Sequence, residues 1–425
     1  MNEEIIREMI ETRRRIHRRP EEGWTEFETT ALVVERLTAL GGFEILLGTE
    51  VVAPEAVMGR DPSLVREAEA RAAAHGVPAS LLERMQGYTG CVGVLETGRP
   101  GPVTVFRFDM DCVLVTECDS DDHPPVRLGF ASERAGLMHA CGHDGHTAVG
   151  LGLARWLVEH RDALCGRVKL LFQPAEEGVR GAAAVAASGV VDDADHLIGS
   201  HVGTYAGPGE VVICRSGFLA STKLDITFEG QASHAGSDPH KGRSALMAAC
   251  ATAMMMQGIP RHGEGETRVS IGRLVAGEGR NVTPVHAFMQ TEVRGETGEV
   301  NDYMVEAVRR IVEGNATAYD VRARMEKAGE ATTLMASDRL GRLIREVAAD
   351  VPGVTRISDG TRVSGSEDVT MLIRRVTERG GEGAFFLYGC EHHGHHRADF
   401  DIQDESTLLI GLGVMIGVAR RLNGV

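Results

Sequence analysis

The fold is decided by the stretch HTAVGLGLARWLVEHRDALCGRVKLLFQPA (146–175), in which a helical pattern is followed closely by a strand pattern. Residues 146–160 space their apolar side chains as an amphipathic helix does, whereas 167–175 is a short apolar run typical of a buried strand. Similar strand patterns occur at VTVFRFDMD (103–111) and HLIGSHVG (196–203). Strands that alternate with helices predict an α/β layer with a mainly parallel sheet.

Polar residues of metal-binding types lie at the ends of these strands. They are Asp109 and Asp111 on the first, Glu176 and Glu177 after the second, and His201 near the end of the third. Open α/β sheets bind ligands in the crevice beyond the carboxyl ends of their strands. The sequence therefore predicts a functional site at this edge of the sheet.

Ligand types are most concentrated in MHACGHDGHTA (138–148), which holds three histidines, a cysteine and an aspartate. Such residues build a catalytic metal site when coordination is left open for water or substrate. Gly142 and Gly145 permit a tight turn here. The helix that follows presents the positive end of its dipole to Cys141 and His143, which favours a thiolate. A glycine-rich turn without a metal is the alternative; it accounts for the glycines but not for the ligand types.

Two further motifs supply carboxylates and imidazoles. QPAEEG (173–178) places two glutamates side by side, and neighbours in an extended segment point in different directions. One can then bind a metal while the other transfers a proton; standing alone, the pair would indicate only solvated side chains. The loop HHGHH (392–396) follows a predicted strand of the same domain, with a metal-scavenging surface loop as the alternative. Together these motifs favour metal-assisted hydrolysis.

Composition and charge exclude several classes of protein. The chain of 425 residues is 43% hydrophobic and carries a formal net charge of −16. Nucleic acid is not an expected partner, because binding it relies on Lys and Arg to neutralise phosphates. The longest apolar tract, 408–419, is shorter than the ~20 residues that span a bilayer, so no membrane partner is expected. Eight scattered cysteines without a CxxC pair indicate reduced thiols in a cytoplasmic protein.

A run of charged residues, RRRIHRRPEEGWTEFE (13–28), lies near the N-terminus between predicted helices at 3–18 and 26–40. Runs of this kind usually form solvated helix faces. We therefore expect its arginines and glutamates to pair locally with one another.

The pattern changes at about residue 217. Residues 223–329 alternate in the order β-α-β-β-α-β, which is the order of a ferredoxin-like unit. The α/β pattern then returns with a helix at 332–351, a strand at 383–390 and a helix at 404–422. We predict one α/β domain formed by residues 1–216 and 330–425, with an inserted βαββαβ domain at 217–329.

In their order along the chain, the motifs resemble those of the M20 metallopeptidase family, in its amidohydrolase branch of N-acyl-amino-acid hydrolases. They are HACGHDGH (139–146), QPAEEG (173–178), SHVG (200–203), ASHAG (232–236), GRNVTP (279–284) and HHRADFD (395–401). The resemblance implies a discontinuous two-metal hydrolase domain and an inserted ferredoxin-like lid or dimerisation domain. One departure is Cys112, where the branch has the alanine of DMDA.

The resemblance also implies the metal ligands, position by position. The two-metal centre would be held by Cys141, His143, Glu177, His201 and His396, with Cys141 as the bridge. His396 is preferred to His395 because the family places its last ligand four residues before the phenylalanine of an FD pair, which is Phe400 here. Manganese is the expected metal, with zinc as the alternative.

The remaining implied residues act on the substrate. Glu176 would be the general base, and His234 would donate to the oxyanion from the neighbouring subunit. Asn281 and Arg294 would hold the substrate carboxylate. The expected assembly is a homodimer; the alternative is a complex that contains a second, related protein.

Substrate choice is implied by features within the branch. The insertion at 48–90, with GVVDD (189–193) and GSEDVT (365–370), resembles the p-aminobenzoyl-glutamate hydrolases. The expected reaction is hydrolysis of this small-molecule N-acyl amino acid to p-aminobenzoate and glutamate, with indole-3-acetyl-aspartate as the alternative substrate. A non-catalytic, metal-stabilised binding protein is the alternative of another class; it predicts a missing base or ligand, and the sequence contains them all.

Overall fold

The computed structural model describes residues 3–360 and 365–425, which form two compact units. The first unit contains the chain up to Gly217, residues 334–360 and the chain from Asp368 onward. The second contains Phe218–Thr333 and residues 365–367. In the described part of the chain, no helix is both long enough and apolar enough to cross a bilayer.

The first unit begins with alternating helices and strands. Up to residue 217 they are α1 (Glu3–Arg18), α2 (Phe27–Leu40), β1 (Phe43–Leu47), α3 (Pro62–Ala74), α4 (Ala79–Met85), β2 (Cys91–Glu96), β3 (Val103–Asp109), α5 (Pro124–Arg127), α6 (His143–Glu159), β4 (Arg167–Gln173), α7 (Ala182–Ala187), β5 (His196–Val202) and β6 (Glu210–Cys214).

The second unit and the return to the first complete the chain. They contain β7 (Ala220–Glu229), α8 (Ala245–Gln257), β8 (Thr267–Ala276), β9 (His286–Gly295), α9 (Gly298–Tyr319), β10 (Arg322–Ala331), α10 (Asp338–Ala349), β11 (Arg356–Gly360), α11 (Val369–Glu378), β12 (Glu382–Tyr388) and α12 (Asp404–Asn423).

Among the described residues, the strands of the first unit form one eight-stranded sheet, ordered β1-β2-β4-β3-β5-β12-β6-β11. The central strands β4, β3, β5 and β12 are parallel neighbours. Antiparallel pairs flank them, formed by β1 with β2, β2 with β4, and β12 with β6. The predicted α/β domain with a mainly parallel sheet is confirmed.

Helix α6 packs closely on the centre of this sheet. A Cβ atom at Gly150 would lie 2.7 Å from ring carbons of both Phe108 on β3 and Phe172 on β4. The two rings are stacked at a tilt with their centroids 5.6 Å apart and are fully buried. Glycine at this position therefore lets α6 approach the strands whose ends carry the candidate site.

Two helices begin at residues other than those predicted. Helix α6 begins at His143 rather than at 146, so this candidate ligand is the first residue of the helix. Helix α10 begins at Asp338 rather than at 332, because the Ser337 side chain accepts a hydrogen bond from the backbone N–H of Leu340. Such a cap satisfies an N–H that the helix leaves unpaired.

The expectation of local pairing in the charged run at 13–28 is wrong. Arg13 is fully buried and pairs with Asp144, at 2.8 Å, and with Asp401, at 2.6 Å. Glu21 is also fully buried and accepts a hydrogen bond from the backbone N–H of Thr29. The run joins distant parts of the first unit because burial of these charges requires specific partners.

The insertion at 48–90 packs on the first unit beside the QPAEEG loop. It forms α3, α4 and two short 3₁₀ turns, Gly48–Glu50 and Pro54–Ala56. The Trp24 indole donates to the carbonyl of Met58 at 2.8 Å, and Arg180 donates to the carbonyl of Gly59 at 3.1 Å. These contacts connect the insertion to residues just after the glutamate pair.

The second unit has a four-stranded antiparallel sheet with two helices. Its strands are ordered β10-β7-β9-β8, and each neighbouring pair is antiparallel. Alternate residues of β7, Leu224, Ile226 and Phe228, are buried in a core shared with α8 and α9. The predicted ferredoxin-like βαββαβ arrangement is confirmed.

Candidate metal centre

The candidate site is formed by the carboxyl ends of β3, β4 and β5 and by the start of α6. Cys141 and His143 flank Gly142, whose φ of +89° lies in the left-handed region. A Cβ on Gly142 would also lie 2.4 Å from Cγ1 of Val202 at the end of β5. Glycine is required here for both reasons, and it brings the cysteine and histidine to the edge of the sheet.

The five predicted ligands come together in two groups. Cys141, His143 and His201 form one, and Cys141, Glu177 and His396 form the other; within each, the ligand atoms lie within 4.8 Å of one another. The Cys141 sulfur belongs to both. This is the position that a shared ligand of two ions would occupy, although the roles of these residues as ligands stay predictions.

Hydrogen bonds determine which nitrogen of two histidines is available to a metal. His143 Nδ1 donates to the backbone carbonyl of Asp111 at 2.9 Å, so its lone pair is on Nε2. That Nε2 is buried and has no hydrogen-bond partner among the described residues. His201 Nδ1 donates to the carbonyl of Val202 at 2.8 Å, which leaves its Nε2 lone pair 3.5 Å from the Cys141 sulfur. Both imidazoles are prepared to bind a cation.

His146 lies beside these residues but has neither nitrogen available. Its Nδ1 is hydrogen-bonded to the Asp109 carboxylate, and its Nε2 accepts the backbone N–H of Val202 at 2.9 Å. The ring stacks on His143 with centroids 5.4 Å apart. His146 therefore supports the ligand histidines and the end of β5 rather than binding a metal itself.

Asp111 fixes the glutamate pair. One of its carboxylate oxygens accepts the backbone N–H of Glu176 at 3.1 Å, and the other accepts that of Glu177 at 2.9 Å. The two glutamate side chains then diverge. Glu177 Oε1 lies 3.2 Å from His396 Nε2, whereas Glu176 Oε2 lies 3.9 Å from His143 Nε2.

The electrostatics of the cluster fit a bound cation. Burial raises the pKa of the Cys141 thiol well above its usual value, and the charges of Glu177 and Glu176 raise it further. A thiolate at this position therefore requires positive charge beside it. Burial also raises the pKa of Glu177, but its contact with His396 and the charge of His143 outweigh burial and lower it. A carboxylate, a thiol and imidazoles with free lone pairs are a donor set that suits a divalent transition metal.

Sequence reasoning missed the role of Glu26. This buried carboxylate accepts the backbone N–H of Ala175 at 2.7 Å, and its other oxygen contacts the hydroxyl of Thr89. Burial and the charge of Asp111 raise the pKa of Glu26 to about 8. Ala175 has a φ of +52°, so Glu26 holds a strained turn immediately before the glutamate pair. A glutamate within a charged run gives no sequence signal for this function.

The three residues predicted to act on the substrate lie in the second unit. His234 and Asn281 are exposed and adjacent: the backbone N–H of Ala235 donates to the Asn281 carbonyl at 3.0 Å. His234 Nδ1 accepts the backbone N–H groups of Gly236 and Ser237. Arg294 lies on β9, where its guanidinium pairs with Glu292 at 3.0 Å.

Comparisons with known proteins agree on one family. The profile of peptidase family M20/M25/M40 matches residues 105–421. The chain is 44% identical to a p-aminobenzoyl-glutamate hydrolase homolog of Haemophilus influenzae, over 98% of this chain and 99% of that protein. It is 42% identical to the indole-3-acetyl-aspartic acid hydrolase of Enterobacter agglomerans, over 96% and 94%. The crystal structure of the aminobenzoyl-glutamate utilization protein from Klebsiella pneumoniae superposes with a TM-score of 0.84 at 36% identity, covering 99% and 97%.

Replacement of the shared sulfur provides a test of the ligand set. Cys141→Ser should reduce bound metal strongly, because a serine hydroxyl does not supply the thiolate that this position offers. Cys112→Ala is the matched control, since Cys112 is equally buried but belongs to none of the ligand groups. Metal per chain after dialysis, measured by mass spectrometry, should fall in the first variant only. Equal metal content in both variants would remove Cys141 from the ligand set.

Proposed function

The chain belongs to peptidase family M20/M25/M40 and is a metal-dependent amidohydrolase, and we propose that it hydrolyses p-aminobenzoyl-glutamate to p-aminobenzoate and glutamate. The observation that carries the proposal is the pair of ligand groups sharing Cys141, with the Glu176 carboxylate beside them. The identity of the substrate rests on the similarity to proteins named for this compound. Indole-3-acetyl-aspartate is the second candidate, because a relative of nearly the same identity is named for it.

We propose that two divalent ions are held by Cys141, His143, Glu177, His201 and His396. Such ions polarise an amide carbonyl and lower the pKa of a bound water. Imidazole and carboxylate ligands suit manganese, whereas the thiolate also suits zinc. The family resemblance favours manganese.

Glu176 is the proposed general base. Its carboxylate lies 3.9 Å from His143 Nε2, and its backbone is fixed by Asp111. From there it accepts a proton from the attacking water and delivers it to the leaving amine nitrogen. The divergence of the two glutamate side chains supports this division of work between Glu176 and Glu177.

His234, Asn281 and Arg294 are proposed to bind the reacting amide and the substrate carboxylate. The two backbone N–H groups that His234 Nδ1 accepts leave its proton on Nε2, which can then donate to the developing oxyanion. Arg294 is ion-paired with Glu292, so we propose that the substrate carboxylate competes with or joins this partner.

A homodimer is the proposed assembly, with His234 acting in the neighbouring protomer. Strand β8 is an edge of the sheet in the second unit, and an unpaired edge can add a strand from another chain. Helix α8 of the same unit exposes Met247, Met254 and Met255. Because similar hydrolases are named as one component of an enzyme with more than one kind of chain, a complex with a second, related protein is the alternative.

We propose that the protein acts in the cytoplasm. Its eight cysteines are all free, and five of them are buried. Free thiols in this number are typical of a reducing compartment.

A substrate comparison tests the proposed reaction. With manganese present, p-aminobenzoyl-glutamate should give a higher kcat/KM than indole-3-acetyl-aspartate, measured by release of each aromatic acid and of the amino acid. The reverse order would assign the second candidate. Fully metal-loaded protein that hydrolyses neither compound would instead favour the non-catalytic binding protein.

The general base can be separated from the metal ligands by Glu176→Gln. The amide cannot accept the proton from water, so kcat should fall by about 10²–10⁴-fold while metal content stays near that of the wild type. Metal content and kcat measured on one preparation separate the two roles. Retention of most activity would contradict the assignment of Glu176.

Co-expression of two inactive variants tests whether His234 acts across a dimer. In a mixed dimer of Glu176→Gln and His234→Ala protomers, one site would combine an intact Glu176 with the intact His234 of its partner. Random pairing should therefore restore activity at about a quarter of the sites. Each variant alone is the control. Formation of mixed dimers, verified with two affinity tags, without any gain in activity would mean that His234 acts in its own protomer.

A further inference from the structure

His395, the residue beside the predicted ligand His396, has its proton fixed by a backbone hydrogen bond. Its Nε2 accepts the N–H of Thr204 at 2.8 Å. An imidazole nitrogen that accepts a hydrogen bond carries no proton, so the ring proton of His395 is on Nδ1. His395 is thereby a hydrogen-bond donor on the side that faces the metal centre.

That donor lies at the shared sulfur. His395 Nδ1 is 3.4 Å from Sγ of Cys141. His201 approaches the same sulfur at 3.5 Å, but its Nδ1 donates to the carbonyl of Val202, so it presents a lone pair. The two histidines therefore face Cys141 in opposite protonation states: His201 is arranged to bind a cation and His395 to donate a proton.

The surrounding chain holds the His395 ring in this orientation. A Cβ at Gly203 would lie 3.0 Å from its Nε2, and Gly203 has a φ of +69°, so glycine is needed for the approach. Thr204 has a φ of +60°, which turns its N–H toward the ring. The rings of His392 and Phe400 pack against His395 with centroids 4.8 and 5.0 Å away.

We propose that His395 is a positioning residue that donates an N–H···S hydrogen bond to the Cys141 thiolate. The inference rests on the proposed function, in which Cys141 is a metal ligand. A hydrogen bond to a thiolate withdraws electron density from the sulfur, so the sulfur donates less to its metal and the metal remains a stronger Lewis acid. It also stabilises negative charge on a sulfur that lies beside the carboxylates of Glu176 and Glu177.

Cobalt-loaded protein gives a direct measurement of the sulfur. The thiolate-to-cobalt charge-transfer band of wild type should shift to longer wavelength in His395→Phe, because an unbonded thiolate gives up its electrons more easily. His395→Asn should stay closer to wild type, since its amide N–H can occupy the position of Nδ1. His393→Phe is the matched control, because His393 is an exposed neighbour in the same loop. Its band should not move.

A band that is unchanged in His395→Phe at wild-type cobalt content would overturn the inference. Absence of a thiolate band in wild-type protein would instead contradict the proposed role of Cys141, so the two failures are distinguishable. A second measurement needs no variant that might misfold: zinc-loaded wild-type protein with ¹⁵N-labelled histidine should show His395 as the Nδ1–H tautomer. The Nε2–H tautomer would overturn the inference by itself.

Discussion

The buried guanidinium of Arg107 joins the elements that carry the candidate site. It contacts the carboxylate of Asp109 on its own strand, donates to the Gln173 side chain at the end of β4 at 2.8 Å, and donates to Asp368 at 2.9 Å. Asp368 also accepts the backbone N–H groups of Gly181 and Ala182 at the start of α7. A buried charge is stable only when its partners are well placed, so the packing of Arg107 requires β3, β4, α7 and the start of α11 to take one arrangement. The QPAEEG loop lies between the elements fixed in this way.

Four histidines around the same sulfur show how hydrogen bonding by the backbone assigns different roles to one residue type. Carbonyl groups take the Nδ1 protons of His143 and His201, so each is left with a lone pair on Nε2. A backbone N–H occupies Nε2 of His395 and places its proton toward Cys141. His146 is bonded at both nitrogens. Residue identity supplies the imidazoles, but the tautomer, and with it the function, is set by the chain around them.

The sequence predicts what depends on local pattern and misses what depends on distant partners. The strands around 103–111 and 167–175 and the concentration of ligand types at their ends follow from periodicity, which is why the α/β layer and the position of the site were predictable. The pairing of Arg13 with Asp144 was not, because the two residues are far apart in sequence and a charged run gives no indication of burial. The edge strands β1 and β11 are short and only partly buried, so their patterns are weak.

The supporting interactions indicate a site that is assembled by the fold rather than by its metal. Asp111 fixes the glutamate backbone, Glu26 fixes the turn before it, and Arg13 holds Asp144 next to His143. None of these contacts involves an atom offered to a cation. A structural zinc module is different, because its ligands gather only when the ion binds and its fold is lost without it. Here the ligands are held by a large hydrophobic core and by buried ion pairs, so removal of the ions is expected to leave the fold and to remove the catalytic charge. That separation is what a catalytic site requires, since its coordination must remain open to water and substrate.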